Sequence, residues 1–331
     1  MNEQVILTRR PDGGIVTPDC FAVQPVAMPV AKPGEVVLRN RYLSIDPYLL
    51  RLVNDLGIYL SSVPVGGPVV SRVVAEVETS TVDGFRPGDA VMAMTPWARY
   101  AAAPAASLIR IDPASIPMPV WLGALGQSGL TAWGGMLTHG RARFGDTVVV
   151  TSAAGPVGQV AGQIARIQGA RVIGIAGGPE KCAFVKDELG FDECLDYRRP
   201  DFREALRAAT PGGINVHWEA VGGSMLDVAL TMLAPRPRIV IAGLIEHYDG
   251  HKPMVLNYPN GLLDQEITLH SFHAGSFMDR RAEFVADMTR WVKDGRLRYR
   301  DTVLDGLGEA GRALASLQKG QVLGKMLVSV S

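Results

Sequence analysis

Hydrophobic and polar positions follow two different rhythms along this chain, and the change comes after residue 122. Up to that point, short β-type runs such as EVVLRNRYLSI (35–45) and VVSRVVAEVETS (69–80) are separated by sequences rich in Pro and Gly. In FRPGD (85–89), Pro87 fixes φ and Gly88 accepts a positive φ, which indicates a tight turn between two strands. Strands at this spacing predict a compact all-β module.

Beyond residue 122, apolar runs alternate with segments of helical length, a pattern typical of βαβ units and a doubly wound parallel sheet of the α/β class. The predicted strands are Thr147–Ser152, Arg171–Ala176, Glu193–Asp196, Asn215–Glu219, Arg238–Ala242 and Glu266–Phe272. The predicted helices are Pro156–Gln168, Glu180–Leu189, Asp201–Ala209 and Ser224–Met232, with a last one in 280–295. We expect the C-terminal strand to return to the β module.

Composition adds limits on partners and location. The chain has 331 residues, enough for two domains, and its 33 Lys and Arg balance 33 Asp and Glu. This balance argues against nucleic acid or an anionic membrane as a partner. Three cysteines, Cys20, Cys182 and Cys194, match neither a disulfide framework nor a structural zinc site, and indicate free thiols in a reducing compartment. MNEQVILTRRPDGG (1–14) lacks a signal-peptide pattern, so we expect a cytoplasmic protein.

The segment SAAGPVGQ (152–159) follows a predicted strand and opens a predicted helix, as a dinucleotide-binding turn does. Gly155 would let the backbone approach a pyrophosphate, and Gly158 would let the helix pack closely on the strand. The start of the helix, Pro156, Val157, Gly158 and Gln159, would then face the anion. An ordinary tight strand–helix turn is the alternative.

The end of the next strand lacks the acidic residue that usually accepts hydrogen bonds from the adenosine ribose of NAD. GIAGGPEKC (174–182) has Gly177 and Gly178 at that place. A carboxylate there would repel a 2′-phosphate, whereas Lys181 in the following helix would attract one. The pattern therefore predicts NADPH as the cofactor, with Arg198 or Arg199 as further cations, against the alternative that Lys181 is a solvated surface residue.

Five segments occur in an order and at distances that identify a family: YLSIDPYLLR (42–51), LGQSGLTAWGGML (125–137), AAGPVGQVAGQIARIQG (153–169), EAVGG (219–223) and GKMLV (324–328). Over nearly its whole length the chain resembles the zinc-independent medium-chain dehydrogenase/reductases, in particular the alkenal and prostaglandin (leukotriene) reductases and bacterial curcumin reductases. The resemblance implies a GroES-like β-barrel catalytic domain (1–122 and 297–331) and a Rossmann NADP-binding domain (123–296). It also implies a homodimer that uses NADPH to reduce the C=C bond of an α,β-unsaturated ketone or aldehyde.

The resemblance also implies positions for the cofactor contacts. These are Pro156–Gln159 at the pyrophosphate, Lys181 at the 2′-phosphate with Tyr197 nearby, the loop with Ala242, Gly243, Leu244 and Tyr248, and Phe272, His273 and Ala274 beside the nicotinamide. The chain departs from the family at Gly178, Ala220 and Val322, where relatives have serine or asparagine. Each departure removes one polar contact.

Candidate catalytic residues are fewer. Tyr48 in DPYLLR and Tyr59 in GIYLSS could donate a hydrogen bond to a developing enolate, with packing as the alternative for Tyr59. In many relatives a tyrosine precedes QE before the sixth strand, and here that residue is Asp264. Asp264 is either catalytic or a helix or loop cap, and Tyr258 could replace the tyrosine only on another loop path.

Other chemistries fit less well. The β module contains only Cys20 and no GHE, so the residues of a catalytic zinc are missing. Of the histidines, His273 is the candidate for the site, His247 and His251 lie on a loop that could shape a substrate pocket, and His139, His217 and His270 are simplest as structural residues. The alternatives to an enone reductase are a quinone or carbonyl reductase, a specialised biosynthetic reductase, and an NADPH-binding protein without turnover.

Overall fold

The computed structural model describes residues 1–57, 61–248 and 253–330. The chain divides into two compact units. Of the described residues, one unit comprises 1–57, 61–122, 248 and 301–330, and the other comprises 123–247 and 253–300.

The elements are numbered along the chain. The strands are β1 Asn2–Leu7, β2 Phe21–Val26, β3 Glu35–Ile45, β4 Val70–Ser80, β5 Ala90–Pro96, β6 Tyr100–Pro104, β7 Ile109–Arg110, β8 Thr147–Val150, β9 Arg171–Ala176, β10 Glu193–Asp196, β11 Ile214–Glu219, β12 Leu233–Ile241, β13 Thr268–Ser271, β14 Asp301–Asp305 and β15 Lys325–Ser329. The α-helices are α1 Tyr48–Val53, α2 Gln127–Gly134, α3 Gly158–Ile167, α4 Pro179–Ala183, α5 Phe202–Ala209, α6 Gly223–Leu230, α7 Asn260–Asp264, α8 Arg281–Lys293 and α9 Ala310–Gln318. Helices α2 and α4 continue into π-helical segments at Gly135–Gly140 and Phe184–Glu188.

The first unit is built on a sheet with the strand order β14-β15-β3-β4-β5-β7, with β6 paired to β3, and a separate β1-β2 pair. The predicted turn at 85–89 connects β4 to β5, and Asp89 accepts a hydrogen bond from the Arg86 amide at 3.0 Å. The C-terminal strand β15 returns to this unit as predicted, antiparallel to β3 and parallel to β14. The all-β prediction for residues 1–122 is therefore confirmed, with the short helix α1 added.

The second unit is a six-stranded sheet with the order β10-β9-β8-β11-β12-β13, and every neighbouring pair is parallel. The central strand β8 reads TVVV and its three valines are fully buried, because helices cover both faces of such a sheet. This is the doubly wound arrangement that the alternating pattern predicts.

Most predicted boundaries in this unit differ from the observed ones by one to three residues, as element ends usually do. Two differences are larger. β12 begins at Leu233 rather than Arg238, and the helix predicted over Glu180–Leu189 changes to π-helical geometry at Phe184. Short apolar runs and amphipathic spacing do not distinguish these local variants.

No helix among the described residues is both long enough and apolar enough to cross a membrane.

A buried charge cluster joins the two sequence motifs SIDPY and GKMLV in the first unit. Lys325 is fully buried, and its Nζ donates to the Asp46 carboxylate and to the Ile45 carbonyl, both at 2.7 Å. Burial alone would raise the pKa of Asp46, but the ammonium group of Lys325 and the Ser44 hydroxyl outweigh it and hold that pKa below its usual value. The pair fixes the turn that begins helix α1 and presents Tyr48.

Asp301 lies opposite Lys325 in the β14–β15 ladder but does not share in this pairing. Its Oδ1 is buried, and within the described part of the chain it has no hydrogen-bond partner. Burial raises the pKa of Asp301 from 3.8 to about 6, against a smaller opposing effect of Lys325. The ionised carboxylate therefore destabilises the folded state.

Asp301→Asn should stabilise the protein at pH 8, where the wild-type carboxylate is charged in both the folded and unfolded states. A shift of about two pKa units corresponds to about 2–3 kcal/mol in the free energy of unfolding. Since the folded-state pKa lies above the unfolded one, the gain should disappear as the pH falls from about 6 to about 4. Denaturant titrations of both proteins at pH 8 and pH 4 measure it. An equal difference at the two pH values would show that Asp301 does not titrate in this way.

Candidate functional site

The loop between β8 and α3 has the geometry of a phosphate-binding turn. The Ala153 amide donates to the Ile175 carbonyl of β9 at 3.0 Å, and the Gly155 amide donates to the Ser152 carbonyl at 2.9 Å. Helix α3 then begins at Gly158, two residues later than predicted. The first N–H groups of a helix have no partner within it, so this turn can face an anion.

Close packing of α3 on the loop depends on Gly158. A Cβ atom at this position would lie 2.3 Å from the Ser152 carbonyl oxygen and 2.9 Å from the Ala153 Cα, both backbone atoms that cannot move aside alone. The sequence prediction that this glycine allows helix and strand to pack closely is consistent with these distances.

Gln159 has a role that the sequence did not reveal. Its side chain is buried, Nε2 donates to the Arg300 carbonyl at 3.3 Å, and Oε1 accepts from the Arg300 amide at 3.1 Å. Its own amide donates to the Gly155 carbonyl at 3.0 Å. The side chain therefore fixes a distant segment of the same unit, and the contact of Gln159 with a pyrophosphate stays a prediction.

The end of β9 is covered by two side chains from the end of β10. A Cβ atom on Gly177 would lie 2.9 Å from Cε1 of Tyr197 and 3.0 Å from Nε of Arg198, so any larger residue would displace one of them. Arg198 stacks over the Tyr197 ring with Cζ 5.7 Å from the ring centroid. The place where NAD-dependent enzymes carry an acid is thus occupied by a guanidinium group.

Asp196 fixes this arrangement through hydrogen bonds to its carboxylate. Its Oδ1 accepts from the Gly178 amide at 2.9 Å and from the Arg198 amide at 3.0 Å. The Gly178 amide in particular holds the pKa of this carboxyl below its usual value. The carboxylate therefore joins the ends of β9 and β10 and presents Arg198 above the glycines.

Lys181 lies in the first turn of α4, beside the same glycines, and is half-buried. Burial and then the neighbouring Arg198 guanidinium lower its pKa from the ordinary value. Arg199, by contrast, forms a bidentate ion pair with Asp201 at 2.9 Å. Of the two arginines proposed from the sequence, only Arg198 adds its charge to Lys181, and we call Lys181 and Arg198 the cationic rim.

The ends of β11 and β12 carry a second organised region around the buried carboxylate of Glu219. Its Oε1 accepts from the Val221 amide at 2.6 Å and from the Thr151 hydroxyl at 3.0 Å, while Oε2 lies 2.8 Å from Nε2 of His217. Sequence reasoning missed this network. The available signal was the alternation of the polar residues Asn215, His217 and Glu219 with apolar ones along the strand, which puts the polar residues on one face.

The loop after β12 is held against the loop after β11. The Ala242 amide donates to the Glu219 carbonyl at 2.8 Å, and the Glu246 amide donates to the Val221 carbonyl at 2.8 Å. His247 accepts from the Gly223 amide through Nε2 at 3.2 Å, which places it at the start of α6. The predicted cofactor residues Ala242, Gly243 and Leu244 thus lie next to EAVGG, at the carboxyl ends of β11 and β12, whereas Tyr248 belongs to the first unit.

Beyond β13, Phe272 belongs to an aromatic cluster. Its ring centroid lies 5.5 Å from that of Phe277, 5.4 Å from that of His139 and 6.3 Å from that of Trp218. His273 is exposed and Ala274 is buried at the start of the following turn. These positions fix the backbone after β13, while the contacts of all three with a nicotinamide stay predictions.

The structure describes two of the three catalytic candidates, each within its own unit. Tyr48 is half-buried at the start of α1 and packs against the core of the first unit. Tyr59 lies outside the described residues. Asp264 is exposed at the end of α7, before β13 begins, whereas the cofactor loops described above all follow the carboxyl ends of their strands. This placement favours the structural interpretation of Asp264 over the catalytic one.

Within the ranges 1–57, 61–248 and 253–330, no group of three or more His, Cys, Asp or Glu side chains is arranged to hold a metal ion.

Gly158→Ala should lower the melting temperature, because the added methyl group meets backbone atoms at 2.3 and 2.9 Å. Overpacking of this kind costs about 1–3 kcal/mol, or roughly 5 °C for a unit of this size. Gly212→Ala is the matched control, since a Cβ atom there has no neighbour within 4 Å. Equal melting temperatures of the two variants in differential scanning calorimetry would contradict this packing account.

Comparison with known proteins places the chain in a family. Residues 156–294 match the zinc-binding dehydrogenase family model, and residues 3–111 match the model for the N-terminal domain of oxidoreductases. The chain is 35% identical to the NADPH-dependent curcumin reductase of Escherichia coli, over 100% of this chain and 97% of that protein. It is 32% identical to the NADP-dependent 2-alkenal reductase of Nicotiana tabacum, over 100% of this chain and 98% of the relative.

A solved structure extends this similarity to three dimensions. CurA from Vibrio vulnificus, crystallised in complex with NADPH, superposes with a TM-score of 0.93 at 36% sequence identity, over 99% of each chain. Similarity at this level covers both units rather than the dinucleotide-binding turn alone.

Proposed function

The chain belongs to the alkenal, prostaglandin and curcumin reductase branch of the medium-chain dehydrogenase/reductases, and from this membership and the site geometry we infer that it is an NADPH-dependent reductase of carbon–carbon double bonds. Its substrates are α,β-unsaturated ketones or aldehydes, and hydride enters at the β-carbon.

The observation that carries the cofactor assignment is the cationic rim at the acid-free end of β9. Arg198 lies over Gly177 and Lys181 stands beside it, so two positive charges are close together. An adenosine 2′-phosphate brings about two negative charges and several acceptor oxygens to this place, which relieves the repulsion between the cations. An unphosphorylated ribose offers no such compensation.

The residues present fit the remainder of the cofactor. The turn before α3 presents helix N-terminal amides to the pyrophosphate, and the paired loops after β11 and β12 extend the same edge toward the position proposed for the nicotinamide. When bound, NADPH supplies the hydride. Protein groups then orient the carbonyl oxygen and stabilise the charge that develops on it.

That charge appears because hydride addition at the β-carbon moves the electron pair of the double bond onto the carbonyl oxygen as an enolate. A neutral hydrogen-bond donor stabilises an enolate, and protonation of the α-carbon by water completes the reduction. We assign this donor role to the phenol of Tyr48, whose backbone is fixed by the Lys325–Asp46 pair. The reaction has no step that requires zinc.

Two further features belong to the proposal. β13 is an edge strand of the six-stranded sheet and Leu269 on it is 48% exposed, which supports a homodimer in which a second copy pairs with this edge. The three free cysteines support a reducing, cytoplasmic location.

Cofactor preference is the first test. Wild-type kcat/KM should be at least tenfold higher with NADPH than with NADH. Arg198→Ala should lower kcat/KM with NADPH about tenfold, since an exposed charge-assisted hydrogen bond to phosphate contributes about 1.4 kcal/mol. Lys181→Ala should act in the same direction, and kcat/KM with NADH should change little. Arg199→Ala is the matched control, because Arg199 is paired with Asp201.

Equal use of both cofactors by the wild type would refute the NADPH assignment. A strong NADPH preference that survives Arg198→Ala would instead refute the role given to Arg198.

The reaction itself is tested with a simple enone and NADPH deuterated at the transferable position. A C=C reductase yields the saturated ketone with deuterium on the β-carbon, as read by NMR. Deuterium on the carbinol carbon would establish a carbonyl reductase. Faster turnover of quinones than of enones would favour a quinone reductase. Tight NADPH binding without NADPH consumption would favour a non-enzymatic protein.

Tyr48→Phe should lower kcat/KM for the enone by about 100-fold, the usual effect of removing one donor to an oxyanion, without changing the Kd for NADPH. Tyr42→Phe, on β3, serves as the control. If Tyr48→Phe and Tyr59→Phe both retain full activity, the donor is another group.

A further inference from the structure

One side of helix α3 carries three polar residues that extend from the dinucleotide turn to the opposite end of the helix. Gln159, Gln163 and Arg166 follow one another at spacings of four and three residues, which places them on one side of the helix. Gln159 exchanges hydrogen bonds with the backbone of Arg300, and Gln163 does the same with Arg298, at 2.7 and 2.8 Å. The segment 296–300 therefore runs along α3.

The register of this pairing brings Arg166 toward Arg296. Four residues of helix rise about 6 Å and two residues of extended chain span about 6.6 Å, so the two run nearly in step. Gln163 meets residue 298, and Arg166 continues the same face toward residue 296. Arg166, Arg296 and Arg298 line one cavity of about 330 Å³, which we call the α3 basic cleft.

The charges in this cleft are poorly balanced. Glu188 also lines it, but the Glu188 carboxylate pairs with Arg300 at 3.3 Å, and only its backbone carbonyl accepts from Arg298, at 3.2 Å. Across the residues for which the structure gives positions, Arg166 and Arg296 form no ion pair. Arg166 is instead placed over Gly190, where a Cβ atom would lie 2.5 Å from its Nη1.

Arg166, Arg296 and Arg298 are exposed, so water and salt screen much of the repulsion between them, but their planar donor pairs match phosphate oxygens. A phosphate group brings about two negative charges and several acceptor oxygens to the three arginines, more than a single carboxylate does. We propose that the α3 basic cleft is a second anion site, specific for a phosphate group and separate from the cofactor site. Arg166 lies about 12 Å along the helix from Gly158, which is too far for the cofactor pyrophosphate to serve both ends.

Isothermal titration calorimetry with inorganic pyrophosphate tests this proposal at constant ionic strength, with saturating NADP⁺ present so that the cofactor site is filled. The wild type should bind one pyrophosphate saturably, and Arg166→Ala combined with Arg296→Ala should weaken that binding at least tenfold. Arg203→Ala combined with Arg207→Ala is the matched control, since these two arginines are likewise exposed but lie on α5 and do not line the cleft. The control should bind like the wild type.

Absence of saturable binding by the wild type would overturn the proposal, and so would equal weakening in the two double variants. If the alanine variant does not fold, Arg166→Lys combined with Arg296→Lys decides the question. It keeps both charges but loses the paired donors, so binding should weaken at least threefold, and unchanged binding would count against the site. Repeating the pyrophosphate titrations without NADP⁺ makes a failure of this proposal distinguishable from a failure of the proposed function. The difference between the wild type and the cleft variants measures pyrophosphate binding at the cleft whether or not the chain binds NADP⁺.

Discussion

The candidate cofactor site depends on the parallel pairing of the six strands numbered β8 through β13. In a parallel sheet the carboxyl ends of all strands lie on the same side of the sheet. The loops after β8, β9, β11, β12 and β13 therefore come together, although they span more than a hundred residues of sequence. The turn before α3, the glycines that follow β9 and the paired loops after β11 and β12 are all positioned in this way. Asp264 precedes β13 and so lies at the other edge, which is a topological reason to prefer a structural role for it.

At that edge, charge rather than shape distinguishes the proposed cofactor from its close relative NAD. Arg198 and Lys181 repel each other, and the pKa of Lys181 is lowered in part for that reason. The Asp196 carboxylate accepts hydrogen bonds from the amides of Gly178 and Arg198, and it offsets only part of the charge of the two cations. The protein therefore keeps an electropositive place that a 2′-phosphate would stabilise. The α3 basic cleft repeats this physical situation at the far end of α3, with arginines alone.

The sequence predicted the order of strands and helices in the second unit because apolar runs and helical periods alternate there without long interruptions. It also predicted the close packing at Gly158, since this residue must be small where α3 approaches the Ser152 carbonyl. It could not choose between Arg198 and Arg199, because only the fold shows that Arg199 is paired with Asp201 while Arg198 covers Gly177. Nor could it reveal that Gln159 binds the backbone of Arg300, a contact across 141 positions of the chain. The contact of Thr151 with Glu219 was missed for the same reason, since these two residues become neighbours only when β8 and β11 pair.

The central claim is that the end of β9 recognises a phosphate on the adenosine ribose. The most direct test compares the binding of two fragments that contain only the adenosine part of the cofactor, so that neither the nicotinamide nor the substrate contributes. The measurement compares the dissociation constants of 2′,5′-ADP and 5′-AMP for the wild-type protein. The account predicts that 2′,5′-ADP binds at least tenfold more tightly, corresponding to about 1.4 kcal/mol from the cationic rim. Equal dissociation constants for the two nucleotides would contradict it.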